Sequence, residues 1–459
     1  MTEVRRDAEA TTNRRGLAGG ALRPWNVLAI AVSAISPTTS VFLVYGSGLS
    51  LAGSGIVWAF VIGGLIALAM SLCYAELGGL FPSAGGAYTI VRKALGPVFG
   101  GATVVLFLLL GLVVTASILT AAATYLNSIA STGLTVGWLA LLMMVLVTAL
   151  SVGKVSPASW IAALMLVLEL AVVLVFTGVA FAHGAPGSHP FTAPRIASAG
   201  GALGPVGVAG LLGAVVPALF AFNGYDWPLY FAEETSGTRR TLPRAVVLSA
   251  GIAVVIEILA VIAATLAIPN LSAAMNADSP LSDIARQVLG PTGATVLIVG
   301  VVIAMFDTGL AGNLGYARIY YAAARDRMLP GPLGRFFGYV SPRTQVPVLG
   351  FAFLFVGNGL LCVFSSLNEL ITFTGVVIVT IYLLVAVSAL VSRIRTRRAD
   401  RPAGRAFRMP LWPVPPVIAI GGVVLALAQQ SPRDLAIALG LAVVALLGYL
   451  VVRKRLPAE

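Results

Sequence analysis

Ile35-Ser36-Pro37-Thr38-Thr39-Ser40-Val41-Phe42 lies in the middle of an apolar run of about 25 residues, longer than the ~20 that span a bilayer as one helix. Ser before Pro is how a helix begins, with Ser as N-cap and Pro at the first helical position. Here that start signal sits in mid-run. A helix restarting at Pro37 would leave the N–H groups of Thr38, Thr39 and Ser40 free, a small positive pole suited to a carboxylate. A proline kink patched by Thr and Ser hydroxyls accounts for the same letters, since membrane helices tolerate one. A second run is interrupted at Pro217-Ala218-Leu219-Phe220-Ala221-Phe222-Asn223-Gly224-Tyr225-Asp226-Trp227-Pro228. Asn-Gly can stop a helix, and Asp before Trp-Pro can cap a new one.

The rest of the chain places both breaks at membrane depth. Of 459 residues, 58% are hydrophobic and 10% charged, and the mean hydropathy is +0.97. Soluble proteins carry about 25% charged residues. A soluble enzyme, a disordered chain and a coiled coil are therefore excluded. Twelve spans are expected, near 25–49, 55–80, 97–126, 136–152, 158–182, 205–232, 244–268, 291–318, 346–365, 370–392, 413–429 and 434–452. The first run is too long for the core of a cleaved signal peptide and reads as a retained span. Cys73 and Cys362 both lie inside apolar runs and form no metal or disulfide framework.

The net charge of +12 is almost entirely arginine, with Lys93, Lys154 and Lys454 the only lysines. With the N-terminus placed inside, 26 of the 29 basic residues fall on inner segments. Arg195, Arg286 and Arg433 fall outside. Under the positive-inside rule this split supports twelve spans with both termini cytoplasmic in the plasma (inner) membrane, and it makes the charge a topology signal rather than a nucleic-acid one. The spans that carry the breaks are the first and the sixth. Corresponding breaks in two halves imply an inverted-repeat transporter with its site between them. The expected organisation is an N-terminal tail (1–24), a five-helix repeat (25–182), an extracellular loop (183–204) and a second repeat (205–392). A basic loop (393–412), two added helices (413–452) and a short tail (453–459) follow. The fold class is an all-α integral membrane protein.

Four stretches resemble the amino acid–polyamine–organocation (APC) transporter superfamily. They are Tyr74-Ala75-Glu76-Leu77 with Phe81-Pro82-Ser83-Ala84-Gly85-Gly86-Ala87-Tyr88; Phe220-Ala221-Phe222-Asn223-Gly224-Tyr225-Asp226; Ala232-Glu233-Glu234-Thr235 with Leu242-Pro243-Arg244-Ala245; and Tyr320 to Arg325-Asp326 and Leu329-Pro330. The resemblance implies five-plus-five inverted repeats plus two helices, and secondary transport by alternating access. It implies that a substrate carboxylate faces the N–H groups at 38–40 beside Ser36, and that an amine faces the carbonyls of Phe220 and Asn223 near Gly224, with Phe220 as an aromatic lid. Glu76, Gly85 and Gly86 would sit at a cytoplasmic gate. The chain departs from the family at Thr38-Thr39-Ser40, where Gly-Ser-Gly is usual, so an ordinary α-amino acid is not the sole expectation. It also has Gly237-Thr238 where Asn-Pro is common and Arg327 where Gly is common.

Independently of any family, Glu169, Asp226, Glu257 and Asp307 fall near mid-span with no Lys, Arg or His at comparable depth. Each ionised acid there costs about 2.5–3.5 kcal/mol, so four unpaired ones would cost roughly 10–14 kcal/mol. Some must be protonated, face water or meet a cation such as a proton, Na⁺ or a substrate ammonium. Asp226, Asp307 and Glu169 are the coupling candidates, and Glu257 reads as a protonated neighbour-bonded acid. Asp226 also suits a helix N-cap. Asn313 and Thr115 suit a cavity lining or helix–helix hydrogen bonds.

No G-x-x-x-x-G-K-[ST] loop is present, which excludes an ATP-driven pump, and no cofactor is expected. His183 and His189 share one loop without evident metal partners. Asp307-Thr308-Gly309 and Tyr225-Asp226 match protease letters without protease context. A channel needs a continuous polar lining that these spans lack. The expected activity is therefore transport of an amino acid or related amine, coupled to protons or run as exchange, with a Na⁺-coupled organic amine or polyamine carrier as the alternative.

Overall fold

The computed structural model describes residues 23–83, 85–130, 132–152, 159–184, 190–198, 201–232, 235–329, 331–344, 346–395 and 407–430, with scattered positions between 432 and 449. The expected span 434–452 lies largely outside the described residues, as do Lys154, His189, Glu233, Glu234 and most of the loop 393–412.

The protein is mostly helical. The chain opens with α1 (Pro24–Ile35) and α2 (Pro37–Ala52), separated at Ser36, then α3 (Ile56–Leu80). A short α4 (Gly86–Leu95) lies before α5 (Pro97–Ile129), α6 (Val136–Val152) and α7 (Ser159–Ala182). Beyond them come α8 (Val208–Gly213), α9 (Val215–Ala221), a 3₁₀ helix at Trp227–Phe231, and α10 (Thr238–Leu266). The chain continues through α11 (Leu271–Met275), α12 (Pro280–Arg325), α13 (Gly331–Phe337), α14 (Val348–Phe364), α15 (Leu367–Arg395) and α16 (Val414–Ala428). Among the described residues, six helical stretches are long and apolar enough to cross a membrane: 24–80, 97–129, 164–182, 238–266, 280–325 and 367–395. Four shorter apolar ones accompany them.

Two features depart from the all-α expectation. Strands β1 (Arg195–Ala197) and β2 (Leu203–Pro205) pair antiparallel in the loop expected at 183–204, with β2 running one residue past its end. Helix α12 also begins eleven residues before the expected span and turns at Gly290, whose φ of 70° suits glycine. The reciprocal bonds between Ser54 and Arg195 and the Trp58 bond to the Phe191 carbonyl hold this loop over the end of α2.

Polarity is arranged inside out relative to a soluble protein. Leu65, Val167, Val255, Val296 and Leu360 are exposed. Ser36, Thr38, Thr39, Ser40, Asp226, Glu257 and Asn313 are buried. An apolar exterior of this extent needs a bilayer to cover it. Chain and structure together are those of a multi-pass membrane protein. The interior is closely packed through small residues: Gly63 of α3 abuts Ala218 of α9, and Gly64 abuts Val254 of α10. Helix α9 thereby sits between α2, α3 and α15, and α12 runs along α5.

Candidate functional site

Ser36 adopts the left-handed region at φ 51°, ψ 74°, which ends α1 and lets Pro37 start α2 in a new direction. Its N–H donates to the Val32 carbonyl at 2.9 Å. The side chain makes no cap bond, so Ser36 breaks the helix by backbone conformation rather than as a capping hydroxyl. Of the three N–H groups expected to be free, that of Ser40 is taken by the Ser36 carbonyl at 2.8 Å. Only Thr38 and Thr39 keep the donors that a helix start leaves over.

The second break is shaped differently from its sequence reading. Helix α9 ends at Ala221, and Gly224 takes φ 126°. Asp226 precedes a 3₁₀ turn but makes no side-chain cap bond. Its Oδ2 accepts the Tyr230 hydroxyl at 3.0 Å instead. Because no continuous α-helix follows Trp227–Phe231, there is no row of free N–H groups for Asp226 to cap. The Phe220 carbonyl accepts the Asn223 N–H at 3.1 Å, leaving one lone pair for a solute. The Asn223 side-chain amide donates to the Tyr382 hydroxyl at 3.0 Å.

The two breaks touch. A Cβ at Gly224 would lie 2.8 Å from the Ile35 nitrogen and 2.9 Å from the Ala34 carbonyl oxygen. The Ser40 hydroxyl lies 2.8 Å from both the Ile35 and the Ala221 carbonyls, so one proton is shared between the two broken ends. Thr39 reaches across to Thr308 of α12, hydroxyl to hydroxyl, at 3.1 Å.

Two small cavities flank this junction. One is lined by Ile35, Thr39, Ser40, Phe220 and Thr308, among others, and has room for roughly three waters. The second is lined by Asp226, Tyr74, Tyr230 and Tyr382, among others, and has room for about one. Asn223, Trp227 and Tyr316 line both and form the wall between them. Among the described residues, Asp226 is the only acidic or basic side chain on either lining. The rings around it form a cage: Trp227 stands 6.1 Å from Tyr230 and 6.2 Å from Tyr316, and Phe107 stands 6.1 Å from Tyr230.

The structure thus brings Thr39, Ser40, Phe220, Asn223, Gly224 and Asp226 to one place, with Ser36 and Thr38 just behind it. Asn313 lines neither cavity; its amide donates to Ser151 of α6 at 2.8 Å. Thr115 likewise lines neither. Glu169 is buried on α7, where its backbone carbonyl accepts the Thr38 hydroxyl at 2.6 Å. Asp307 is half-buried on α12 next to Thr308, outside both linings. Gly86, at φ 51°, packs against the Tyr230 ring, so it adjoins the Asp226 partner directly, while the Gly85 N–H donates to Ser83 Oγ at 3.2 Å. Glu76 is buried near the C-terminal end of α3. It receives Arg393 of α15 in a two-pronged pair at 2.7 and 2.8 Å, plus the Met409 N–H at 2.9 Å. Trp227, Thr308, Tyr316 and Tyr382 were not singled out from sequence, because an aromatic or Thr in an apolar span carries no signal of which cavity it borders.

A buried junction of two broken helices, flanked by a mostly apolar cavity and an aromatic cage around one carboxyl inside a lipid-facing shell, defines a membrane transporter of the broken-helix class. The amino acid permease family profile matches residues 22–451, and the chain belongs to that family, which comprises transporters rather than enzymes. It is 25% identical over 402 residues to the branched-chain amino acid permease BcaP of Bacillus subtilis, covering 83% of this chain and 82% of that one. It is 25% identical over 328 residues to the low-affinity putrescine importer PlaP of Escherichia coli, covering 70% of each. Cationic amino acid transporter 4 of Mus musculus is 26% identical over 381 residues, covering 78% of this chain and 57% of the mouse protein.

Proposed function

We propose that this protein is a secondary active transporter that carries an amino acid or related amine across the plasma membrane by alternating access. The observation that carries the reading is the meeting of the two breaks at Gly224 and Ser40, beside a cavity lined by both. Irregular backbone at membrane depth persists where it lines a cavity. The organisation proposed is twelve spans in two five-helix repeats plus two, with both termini cytoplasmic.

The solute binds between Thr39–Ser40 and Phe220–Asn223. The carbonyl lone pair at Phe220 and the Asn223 face suit an amine, and the Thr39 N–H at the cavity suits a carboxylate where the solute has one. Asp226 handles the coupling proton, in a space the size of one water, which also admits an ammonium head. Asp307 and Glu169 are further coupling groups. The Asn223–Trp227–Tyr316 wall separates the two cavities, and its displacement opens the path toward the arginine-rich end. The relatives named for branched-chain amino acids, cationic amino acids and putrescine support this range of solutes.

The test is a panel of radiolabelled amino acids and amines with purified protein in proteoliposomes. Saturable counterflow of at least one of them is the expected result. Flux without counterflow would mark a channel, and no flux of any member would remove the reading.

A further inference from the structure

Helix α5 passes both cavities. Its Phe107 and Leu110 line the cavity around Asp226, and its Val114 and Ile118 line the solute cavity. Where the one set gives way to the other, a side chain of another helix enters α5. Asn358 of α14 is fully buried and lines neither cavity. Its Oδ1 accepts the backbone N–H of Ala116 at 2.9 Å, and its Nδ2 donates to the Gly111 carbonyl at 3.3 Å and to the Leu354 carbonyl at 2.8 Å. A regular α-helix directs the Ala116 N–H to the Leu112 carbonyl and the Thr115 N–H to the Gly111 carbonyl. One side-chain amide thus bridges a carbonyl at 111 and an N–H at 116, as an extra peptide group set into the ladder would. A side chain inserted in this way is one of the few causes of a helix kink.

The hydroxyls of α5 carry the same displacement. Thr103, Ser117 and Thr124 each donate to the carbonyl four residues back, at 2.8, 2.7 and 2.9 Å. Thr115, for which that carbonyl is Gly111, is fully buried and has no hydrogen-bond partner. Close packing keeps the intruding amide in place. A Cβ at Gly357, next to Asn358, would strike Leu112, and a Cβ at Gly111 would lie 2.9 Å from the Tyr316 ring. Tyr320 of α12 also grips α5, its hydroxyl 2.9 Å from the Leu108 carbonyl and 3.3 Å from that of Phe107.

We propose that Asn358 is a positioning residue for transport. It holds α5 open between Gly111 and Ala116, makes α5 a third interrupted element at the site, and so sets the wall of one cavity at an angle to the wall of the other. Asn358 touches no solute and acts through the α5 turns on either side of it. Without its amide, the Leu112–Ala116 and Gly111–Thr115 backbone bonds close, α5 straightens, and the two walls move as one rod. The link to transport rests on the transporter reading; the opening of α5 does not.

Asn358→Leu removes the amide at similar side-chain volume. In proteoliposomes it should lower the maximal counterflow rate of each radiolabelled panel compound that the wild type exchanges by about tenfold, the upper part of the range for residues without ligand contact, and leave half-saturation within about threefold. An Asn358 that only joined α14 to α5 would instead lower the melting temperature and leave the rate per folded protein unchanged. Ala116→Pro restores the opening by other means, since proline has no N–H to close on Leu112 and its ring pushes that carbonyl away. The Asn358→Leu, Ala116→Pro double variant should therefore regain part of the lost rate. The full rate in folded Asn358→Leu, or a loss that Ala116→Pro leaves in place, would overturn the proposal. Should either variant not fold, hydrogen exchange of the wild type decides: peptides over 108–116 should exchange faster than those over 117–124, and equal protection would overturn the proposal. A wild type without counterflow would defeat the transporter reading alone, and the exchange pattern would still decide the opening of α5.

Discussion

Replacing Gly224 with Ala tests whether the two breaks must touch. The backbone at Gly224 has φ 126°, and its new methyl would meet the Ile35 nitrogen at 2.8 Å and the Ala34 carbonyl oxygen at 2.9 Å. Holding a non-glycine residue in such a conformation costs about 1–3 kcal/mol. Overpacking against a backbone that cannot swing aside adds about 1–3 kcal/mol. The summed penalty of about 2–6 kcal/mol is a large fraction of the ~5–15 kcal/mol margin typical of native proteins. The breaks must separate, and the Ser40 bridge to Ala221 opens with them. Gly251→Ala is the matched control. Its Cβ meets nothing within 4 Å, and Ala in a helix is favoured over Gly by about 1 kcal/mol. The assay is thermal stability of both variants in detergent, paired with counterflow in proteoliposomes. Gly224→Ala should melt well below the wild type and lose counterflow, while Gly251→Ala retains both. A Gly224→Ala protein with wild-type melting and counterflow would refute the contact between breaks.

Other expectations follow from single contacts. Ser40→Ala leaves the Ile35 and Ala221 carbonyls without that donor and should destabilise by about 1–3 kcal/mol, read by chemical or thermal denaturation, with Ser40→Thr restoring part of it. Removing either partner of the Glu76–Arg393 pair should cost about 3–5 kcal/mol, whereas the Glu76→Gln, Arg393→Gln double variant should lose less than the sum. Asp226→Asn should retain exchange and lose acceleration by an inward proton gradient; proton-driven uptake that survives intact would remove Asp226 from the coupling role. Single cysteines at Ala197 and Gly338, in a background lacking Cys73 and Cys362, should label only from outside and only from inside respectively. The reverse pattern would invert the topology.

Much of the fold was legible because a bilayer imposes long apolar runs and the sequence breaks them at Ser36-Pro37 and Asn223-Gly224. The backbone turns at those residues, since Pro37 cannot continue the first helix and Gly224 accepts a φ that other residues resist. What the letters did not contain was the partner of each polar group. Ser36-Pro37 has the form of a cap, yet Ser36 enters the left-handed region and its carbonyl takes the Ser40 N–H, so the pole is smaller than expected. Asp226 before Trp-Pro also has the form of a cap, yet Tyr230 one turn on supplies a better-placed donor. Asn313 went to Ser151, 162 positions away, and Glu76 to Arg393, 317 away. Such separations leave no local periodicity from which to infer them. The Trp227–Tyr316 wall was hidden for the same reason: its two rings meet only after α12 is laid against the second break.

The most direct test of the central claim is equilibrium binding of the transported solute to purified Phe220→Ala and Thr39→Trp variants beside the wild type. Both side chains line the cavity between the breaks, and neither holds the Gly224 contact. The account predicts that both variants express and fold while binding weakens in each, most in Thr39→Trp, which fills the cavity. Wild-type affinity in both variants would place the solute elsewhere and contradict the account.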